Sequence, residues 1–257
     1  NELIDYASAF EREPISASKL IVGMKCGGSD GFSGITANPL VGRFSDLLIG
    51  KGGTTILTEV PEMFGAETLL MNRCANRELF DETVSLINDF KQYFKDNHQT
   101  IYENPSPGNK KGGISTLEDK SLGCTQKSGS APVCGVLSYG ECVKTSGLNL
   151  LSAPGNDLVA ATALAASGAH IVLFTTGRGT PFASPVPTVK ISSNSTLAGK
   201  KKNWIDFNAG VLVEDAELDT VGQQLFDYVI DVASGRKVCS EEAGFHDMAI
   251  FKQGVTL

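Results

Sequence analysis

Short continuous apolar runs alternate along this chain with segments of helical periodicity, and no other feature constrains the fold as strongly. The runs are KLIVGM, TTILTEV, PVCGVL, HIVLFTT and PTVKISS, and each has the form of a strand that is covered on both faces. Strands that alternate with helices favour an α/β fold. The sequence therefore predicts a mostly parallel sheet with helices on both faces, in Rossmann-like layers.

The segments between these runs carry the marks of helices. Segment 77–98 repeats apolar residues along one face of a long helix. A capping-box pattern from Ser115 to Glu118 predicts a helix start, and Gly235 predicts a helix end. We predict helices at 2–12, 38–53, 61–72, 77–98, from 115 onwards, at 156–168 (opened by Asn156 or Asp157) and at 215–235.

Length and composition place the chain among ordinary globular proteins. It has 257 residues, of which 41% are hydrophobic and 20% charged, so it can bury a full core. No internal duplication divides it, and we predict a single domain over 1–257 with a flexible loop at about 99–114. The formal net charge of -7 at pH 7 disfavours nucleic acid and anionic membranes as partners.

The cysteines and the apolar runs bear on the compartment. Six cysteines are scattered without a C-x-x-C pair or zinc-finger spacing, which in a chain of this size is typical of reduced thiols. Nothing resembles a signal peptide, and no apolar run reaches the ~18 residues that cross a bilayer. We therefore predict a cytoplasmic protein. Because the chain opens on NELIDYASAFERE without an initiator methionine, we expect it to be a piece of a longer polypeptide.

Two glycine-rich turns follow apolar runs: KCGGSDGFSG at 25–34 and TTGRGTP at 175–181. Repeated glycines let a backbone approach a ligand closely, and ligands of parallel sheets gather at the carboxyl ends of the strands. Neither turn matches G-x-G-x-x-G or G-x-x-x-x-G-K-[ST], so a nucleotide site is disfavoured but stays an alternative. The turns predict a binding site at this edge of the sheet.

Basic residues stand between glycines in two places. Lys110 and Lys111 lie in NPSPGNKKGG, which is either a solvated basic loop or a clamp for an anionic small substrate. Arg178 lies between Gly177 and Gly179, where it is either an exposed loop arginine or a group that reaches a carboxylate bidentately. The sequence leaves both alternatives open.

Soft and acidic groups that could hold a metal are present without a diagnostic spacing. Cys26 and Asp30 lie in the first glycine turn, Glu59 closes the second apolar run, and His246 stands near the end in GFHDMAIF. Cysteine, histidine and carboxylate together can bind iron or another divalent cation. Each also has a structural use, such as a small buried thiol, a helix N-terminal anion or a packed imidazole.

The order of the glycine-rich motifs resembles that of a known enzyme family. VGMKCGGSDGFSGITANP, ENPSPGNKKGG and FTTGRGTP, followed by DFNAG and DVASGRK, are similar to the altronate and galactarate dehydratases in their large carboxyl-terminal part. The resemblance covers nearly all 257 residues and is closer to the altronate branch. It implies a metal-dependent hydro-lyase, with Fe²⁺ or Mn²⁺ as cofactor, that converts D-altronate to 2-keto-3-deoxy-D-gluconate and water.

The resemblance also implies roles and partners. The alternatives are a galactarate dehydratase, or a substrate-binding and dimerisation fragment whose metal lies partly in an absent amino-terminal portion. A homodimer and an amino-terminal domain of the same protein are the expected partners, besides the sugar acid. Residue chemistry and motif position together assign catalysis to Lys110, Lys111 and Arg178, metal ligation to Cys26, Glu59 and His246, and substrate contacts to Gly27, Gly28, Ser29, Asp30, Gly108, Asn109, Gly177, Gly179 and Thr180.

Overall fold

The strands of this chain form one seven-stranded sheet in the order β3-β4-β2-β1-β5-β6-β7, and every neighbouring pair is parallel. The computed structural model describes residues 1–254. The predicted α/β fold with a parallel sheet is confirmed. The strands are β1 (Ile21–Cys26), β2 (Thr54–Leu57), β3 (Val133–Leu137), β4 (Gly147–Leu151), β5 (Ile171–Thr176), β6 (Thr188–Ser192) and β7 (Phe207–Asn208).

Helices surround the sheet, and short 3-10 turns connect several elements. The α-helices are α1 (Glu2–Ser8), α2 (Ala37–Gly50), α3 (Thr68–Met71), α4 (Arg77–Asp96), α5 (Pro107–Lys111), α6 (Leu117–Thr125), α7 (Asp157–Ala166), α8 (Ser195–Lys200), α9 (Leu218–Ala233) and α10 (Cys239–Glu242). The 3-10 turns are Ala17–Lys19, Val60–Met63, Gln126–Ser128 and Ala209–Val213. Within residues 1–254, no helix combines the length and apolar character that a membrane crossing requires.

The central strand β1 has apolar layers on both faces. Val22 and Met24 belong to the large core that also holds α2, α4 and α9, because successive side chains of a strand point to opposite faces. Gly23 lies on the other face against Leu164 of α7. Leu164 belongs to a smaller core with Val172 of β5. The carboxyl end of β1 therefore lies at the centre of the sheet edge, between β2 and β5.

The sequence predicted most long elements but not all of the short ones. Helix α4 begins after Asn76, whose side chain accepts the N–H of Leu79 at 2.9 Å, and Gly235 ends α9 with φ +112. A continuous helix over 61–72 is wrong, because Gly65 at φ +86 separates a 3-10 turn from α3. The cap of α6 is Thr116 and not Ser115. Strands β4 and β7 and helices α5, α8 and α10 were not predicted.

Gly42 in α2 gives a prediction about stability. Alanine normally stabilises a helix interior over glycine by about 1 kcal/mol. Here a Cβ at Gly42 would overlap the carbonyl oxygen of Gln126, which is backbone and cannot turn away. We therefore expect Gly42→Ala to destabilise the fold by about 1–3 kcal/mol, as overpacking does. Urea unfolding measures it, with Gly50→Ala as the control, since a Cβ at Gly50 meets no atom within 4 Å. Equal effects would contradict the expectation.

Candidate active site at the carboxyl edge of the sheet

The glycine-rich turns lie together where β1 and β5 end. The N–H of Gly177 donates to the carbonyl of Gly28 at 3.1 Å, which joins the two strand turns. The N–H of Gly31 donates to the carbonyl of Gly112 at 2.8 Å, which joins the first turn to the segment after α5. All three glycine-rich segments therefore meet at one edge of the sheet, at the place where parallel sheets bind ligands.

Arg178 lies at the junction of these turns. A Cβ at Gly108 would overlap the Arg178 guanidinium, so only glycine permits this contact with α5. On its other side Arg178 lies near Gly28, which has φ +64. The next residue in α5, Asn109, is buried, and its Nδ2 donates to the carbonyl of Ser29 at 2.9 Å. Helix α5 is thereby fixed to the first turn beneath the arginine.

A cleft of about 360 Å³ opens at this edge. Charged and thiol side chains from separate elements line it: Cys26, Glu62, Glu103, Lys120, Asp157 and Arg178. Much of the remaining wall comes from the segment between α4 and α5. The cleft thus combines cations, which can hold an anionic substrate, with acidic groups that can exchange protons.

Buried lysines lie behind the lining of the cleft. Lys25 has no exposed surface, its Nζ is 3.2 Å from Glu59 Oε1, and it donates to Asp157 Oδ1 at 2.5 Å. Burial alone would lower the pKa of Lys25, but the charges of Glu59 and Asp157 outweigh it and raise the pKa. Lys127 Nζ is 3.6 Å from Glu59 Oε2, and within residues 1–254 no group accepts a hydrogen bond from it.

Glu59 is the residue around which these lysines gather. Its backbone has φ 67, a left-handed conformation that residues other than glycine rarely adopt. Its Oε2 accepts the N–H of Cys26 at 2.8 Å. Burial first, and then the charge of Cys26, raise the pKa of Glu59 to about 8. Backbone strain at a buried charge is typical of a functional site.

Cys26 and Cys124 form a buried thiol pair. Their sulfur atoms are 3.5 Å apart, and the Cys124 thiol also contacts Glu62 Oε2 at 3.3 Å. The hydrogen bond from Cys124 lowers the pKa of Cys26 well below its usual value, and the lysines Lys127 and Lys120 act in the same direction. The same bond, together with burial, raises the pKa of Cys124 well above its usual value. The pair therefore favours one shared negative charge.

Lys120 connects the thiol pair to the cleft. It is buried on α6, and its Nζ lies 2.5 Å from Glu62 Oε2. Burial alone would lower the pKa of Lys120, but the charges of Cys124 and Glu62 hold it well above its usual value. Lys120 is therefore a permanent cation at the wall of the cleft.

Residues that the sequence predicts to contact the substrate differ in their surroundings. Asp30 accepts hydrogen bonds from the Ser33 and Ser193 hydroxyls and from Asn194 Nδ2, so its carboxylate is fully engaged within the protein. The hydroxyl of Ser29 is buried and has no partner within residues 1–254. Of the predicted set, the cleft is lined by Cys26, Gly27, Gly28, Asn109 and Arg178.

The predicted lysines and the rest of the predicted set lie outside the lining. Lys110 and Lys111 are exposed at the end of α5, and neither lines the cleft. Gly179 N–H donates to the Thr176 hydroxyl at 2.9 Å, and Thr180 accepts the N–H of Phe182 at 3.2 Å. The glycines therefore shape the turns, whereas the cation that lines the cleft beside Arg178 is Lys120.

The predicted metal ligands do not come together. His246 is exposed after α10, and the Glu59 carboxylate is bonded to Lys25 and the Cys26 N–H. Within residues 1–254, the donor atoms that lie within 4.8 Å of one another belong to Cys26, Glu62 and Cys124. Two thiols and a carboxylate are suitable donors for Fe²⁺, so the residues present fit one of the two metals that the resemblance implies, and fit Mn²⁺, which prefers oxygen donors, less well.

The sequence offered only partial signals for the residues it did not predict. Lys25 interrupts an apolar strand just before the glycine turn, which marks it as unusual. Lys120, Cys124 and Lys127 follow the helical spacing i, i+4, i+7, which places them on one face. Glu62 and Asp157 had no distinguishing pattern, because each lies at a helix or turn start where acidic residues are common.

Comparisons with known proteins agree with the fold and the motifs. Residues 17–256 match the family described as "D-galactarate/Altronate dehydratase, C-terminal". The chain is 64% identical over 257 residues to an altronate dehydratase of Bacillus subtilis, covering 100% of this chain and 52% of that protein. It is 61% identical over 247 residues to an altronate dehydratase of Escherichia coli, covering 96% and 50%.

A more distant relative belongs to the galactarate branch. The chain is 41% identical over 245 residues to the galactarate dehydratase (L-threo-forming) of Escherichia coli, covering 94% of this chain and 47% of that protein. The chain thus spans about half the length of the curated relatives it matches. With the family match over residues 17–256, the chain belongs to the D-galactarate/altronate dehydratase family.

Proposed function

We propose that this chain forms the catalytic region of a sugar-acid hydro-lyase whose substrate is D-altronate and whose product is 2-keto-3-deoxy-D-gluconate. The observation that carries the proposal is the cleft at the carboxyl edge of the sheet, where Lys120 and Arg178 lie beside Cys26, Glu62 and Asp157. Identities of 64% and 61% to altronate dehydratases favour altronate over galactarate, whose dehydratase is 41% identical.

The reaction requires cations where charge develops. Loss of water from an aldonic acid begins with removal of the proton next to the carboxylate, and the resulting negative charge spreads onto the carboxylate oxygens. Fixed positive groups lower the free-energy barrier to removing this proton, because they need no reorganisation during the reaction. Arg178 can bind the carboxylate bidentately, and Lys120 supplies a second positive charge in the same cleft. A divalent cation bound beside them would supply further polarisation of the same oxygens.

Proton transfer in this proposal falls to Asp157 in the cleft. Its Oδ1 is held by Lys25 and the residue lines the cleft, so the carboxyl group is fixed beside the space for substrate. A carboxyl group with this geometry can take the α-proton or return a proton to the leaving hydroxyl. Lys110 and Lys111 remain predicted bases from the family motif, but their exposure on α5 does not favour them.

The relatives are about twice as long as this chain. What the other half of such a protein contributes to activity is therefore part of the proposal. We propose that the active enzyme is a homodimer in the cytoplasm and contains an amino-terminal domain of the same protein. The alternative is a substrate-binding and dimerisation fragment whose metal is held largely by that domain. Metal bound stoichiometrically by this chain alone would exclude the alternative.

The test of function is a product assay. The chain, and the longer polypeptide in which it is joined to the remaining half, are reduced, loaded with Fe²⁺ without oxygen, and incubated with D-altronate, galactarate and other aldonic and aldaric acids. We expect a 2-keto-3-deoxy acid from D-altronate with the highest kcat/KM. Turnover of galactarate in preference would identify the other branch, and no product from any acid would overturn the lyase proposal.

Arg178 gives a prediction about substrate binding. Removing a hydrogen bond to a charged group costs about 1.5–3 kcal/mol, so Arg178→Ala should raise KM for D-altronate about 10- to 100-fold. Steady-state kinetics of the longer polypeptide measures the change. Arg236→Ala is the matched control, because Arg236 is an exposed arginine paired with Asp231 at 3.5 Å outside the cleft. An unchanged KM in Arg178→Ala would remove Arg178 from the binding site.

A further inference from the structure

The thiol pair and Glu62 form a compact set of donors. The Cys26, Cys124 and Glu62 donor atoms all lie within 4.8 Å of one another, and the two sulfur atoms are 3.5 Å apart. Both cysteines are buried, and Glu62 is nearly so. Ligand identity and short distances between the donor atoms are what can be checked for a metal site, and this set satisfies both.

The three donor residues lie on three separate elements of the fold. Cys26 ends β1, Glu62 lies in the 3-10 turn Val60–Met63 that follows β2, and Cys124 lies near the end of α6. The N–H of Cys26 is bonded to Glu59, and Glu62 is bonded to Lys120. These outer contacts orient the donors, as outer partners do at established metal sites. Cys26 and Glu62 also line the cleft, so one side of the set faces the space for substrate.

Cations lie next to the donor set. Lys120 Nζ is 2.5 Å from Glu62 Oε2, and Lys25 and Lys127 contact Glu59, which accepts the Cys26 N–H. Metal-bound cysteines are thiolates, so metal binding places two thiolates in the interior. A divalent cation would compensate their charge directly, which a buried anionic pair requires.

We propose that Cys26, Cys124 and Glu62 bind a single soft or borderline divalent cation, such as Fe²⁺, Co²⁺ or Zn²⁺. Two sulfur donors select such ions against Mn²⁺, Mg²⁺ and Ca²⁺, which prefer oxygen. The site replaces the predicted set of Cys26, Glu59 and His246, of which only Cys26 is kept. The inference rests on the proposed function for what the ion is used for, and it concerns this chain's own residues.

Cobalt binding tests the site without any activity measurement. The reduced 257-residue chain is titrated with Co²⁺ in the absence of oxygen, and absorption from thiolate-to-cobalt charge transfer in the near ultraviolet is recorded. We expect one Co²⁺ per chain. Cys124→Ser should weaken Co²⁺ binding on the order of 100-fold, which is at or above the effect of losing a residue that only orients a ligand. Glu62→Gln should also weaken Co²⁺ binding, but the absorption band should remain at saturating Co²⁺ because both thiolates are kept.

Variants at other residues distinguish this metal site from alternative sets of ligands. Cys142→Ser changes an exposed cysteine, and His246→Ala and Glu59→Gln change the predicted ligands that lie outside the set. Cys142→Ser and His246→Ala should leave Co²⁺ affinity unchanged, and Glu59→Gln should weaken it less than Cys124→Ser does. Thermal unfolding of the metal-free variants confirms that each is folded. Persistence of the band in the Cys26→Ser, Cys124→Ser double variant would overturn the proposal.

Competition completes the test and keeps it separate from the proposed function. Zn²⁺ should displace Co²⁺, whereas a large excess of Mn²⁺ should not; equal displacement by both would contradict the sulfur-rich ligand set. If Co²⁺ binds as expected but the longer polypeptide dehydrates no sugar acid, the site stands and the function fails. If dehydration proceeds while the chain binds no Co²⁺ through its thiols, the function stands and the site fails.

Discussion

Replacing Lys120 by methionine should lower kcat for D-altronate by about 10²–10³-fold, the effect of removing one preorganised group that stabilises developing charge. Lys120 lines the cleft and is the cation paired with Glu62 at 2.5 Å. Methionine keeps much of the side-chain volume, so the change removes the charge with little loss of packing. Steady-state kinetics of the longer polypeptide, together with its thermal unfolding, measures the effect.

The exposed lysines provide the control for this experiment. Lys110→Met and Lys111→Met remove cations from the end of α5 that do not line the cleft, so both should keep kcat near the unaltered value. If Lys120→Met unfolds because Glu62 is left unpaired, Lys120→Gln, whose uncharged amide can still donate a hydrogen bond to Glu62, tests the same loss of charge. A large loss in Lys110→Met or Lys111→Met with an active Lys120→Met would reverse the assignment.

Lys25→Met should destabilise the fold by about 3–5 kcal/mol, because breaking a buried ion pair leaves an uncompensated charge. Lys25 is fully buried and contacts Glu59 at 3.2 Å and Asp157 at 2.5 Å. Among residues 1–254, its loss leaves Lys127, at 3.6 Å, as the remaining ion-pair partner of the Glu59 carboxylate in the interior. Urea unfolding at pH 9, above the raised pKa of Glu59, keeps this carboxylate ionised and gives the change in the free energy of unfolding.

A double variant and a variant of an exposed ion pair serve as controls for the effect of Lys25→Met. Lys25→Met with Glu59→Gln removes both charges of the pair and should recover part of the lost stability. Lys144→Met breaks the exposed pair with Glu141 at 2.8 Å and should have no measurable effect, since solvent screens such pairs. A Lys25→Met variant as stable as Lys144→Met would show that the buried charges contribute nothing to folding.

The sequence alone predicts the parallel sheet and the proximity of the glycine turns. The apolar runs at Ile21–Cys26 and Ile171–Thr176 are buried on both faces, which made them recognisable as strands. Parallel strands end at the same edge, so turns that follow them had to lie close together. Strand β4 was not predicted, since its segment lies among small and polar residues that resemble a loop.

The chemistry of the site was harder to predict because it depends on contacts between distant segments. Glu62 and Cys124 are 62 positions apart but in contact at 3.3 Å, and no local pattern records that. The sequence suggests His246 as a ligand by its residue type alone, and the structure places it on the surface. The glycines around Lys110 and Lys111 suggest a substrate clamp, whereas Gly108 in the structure permits α5 to approach Arg178.

Lys120, Cys124 and Lys127 all lie on one short stretch, from α6 into the 3-10 turn Gln126–Ser128. A single deletion within this stretch would therefore remove two cations and a sulfur donor together. The cleft and the thiol pair depend on the same short segment of backbone, so a shift of that segment would disturb both at once.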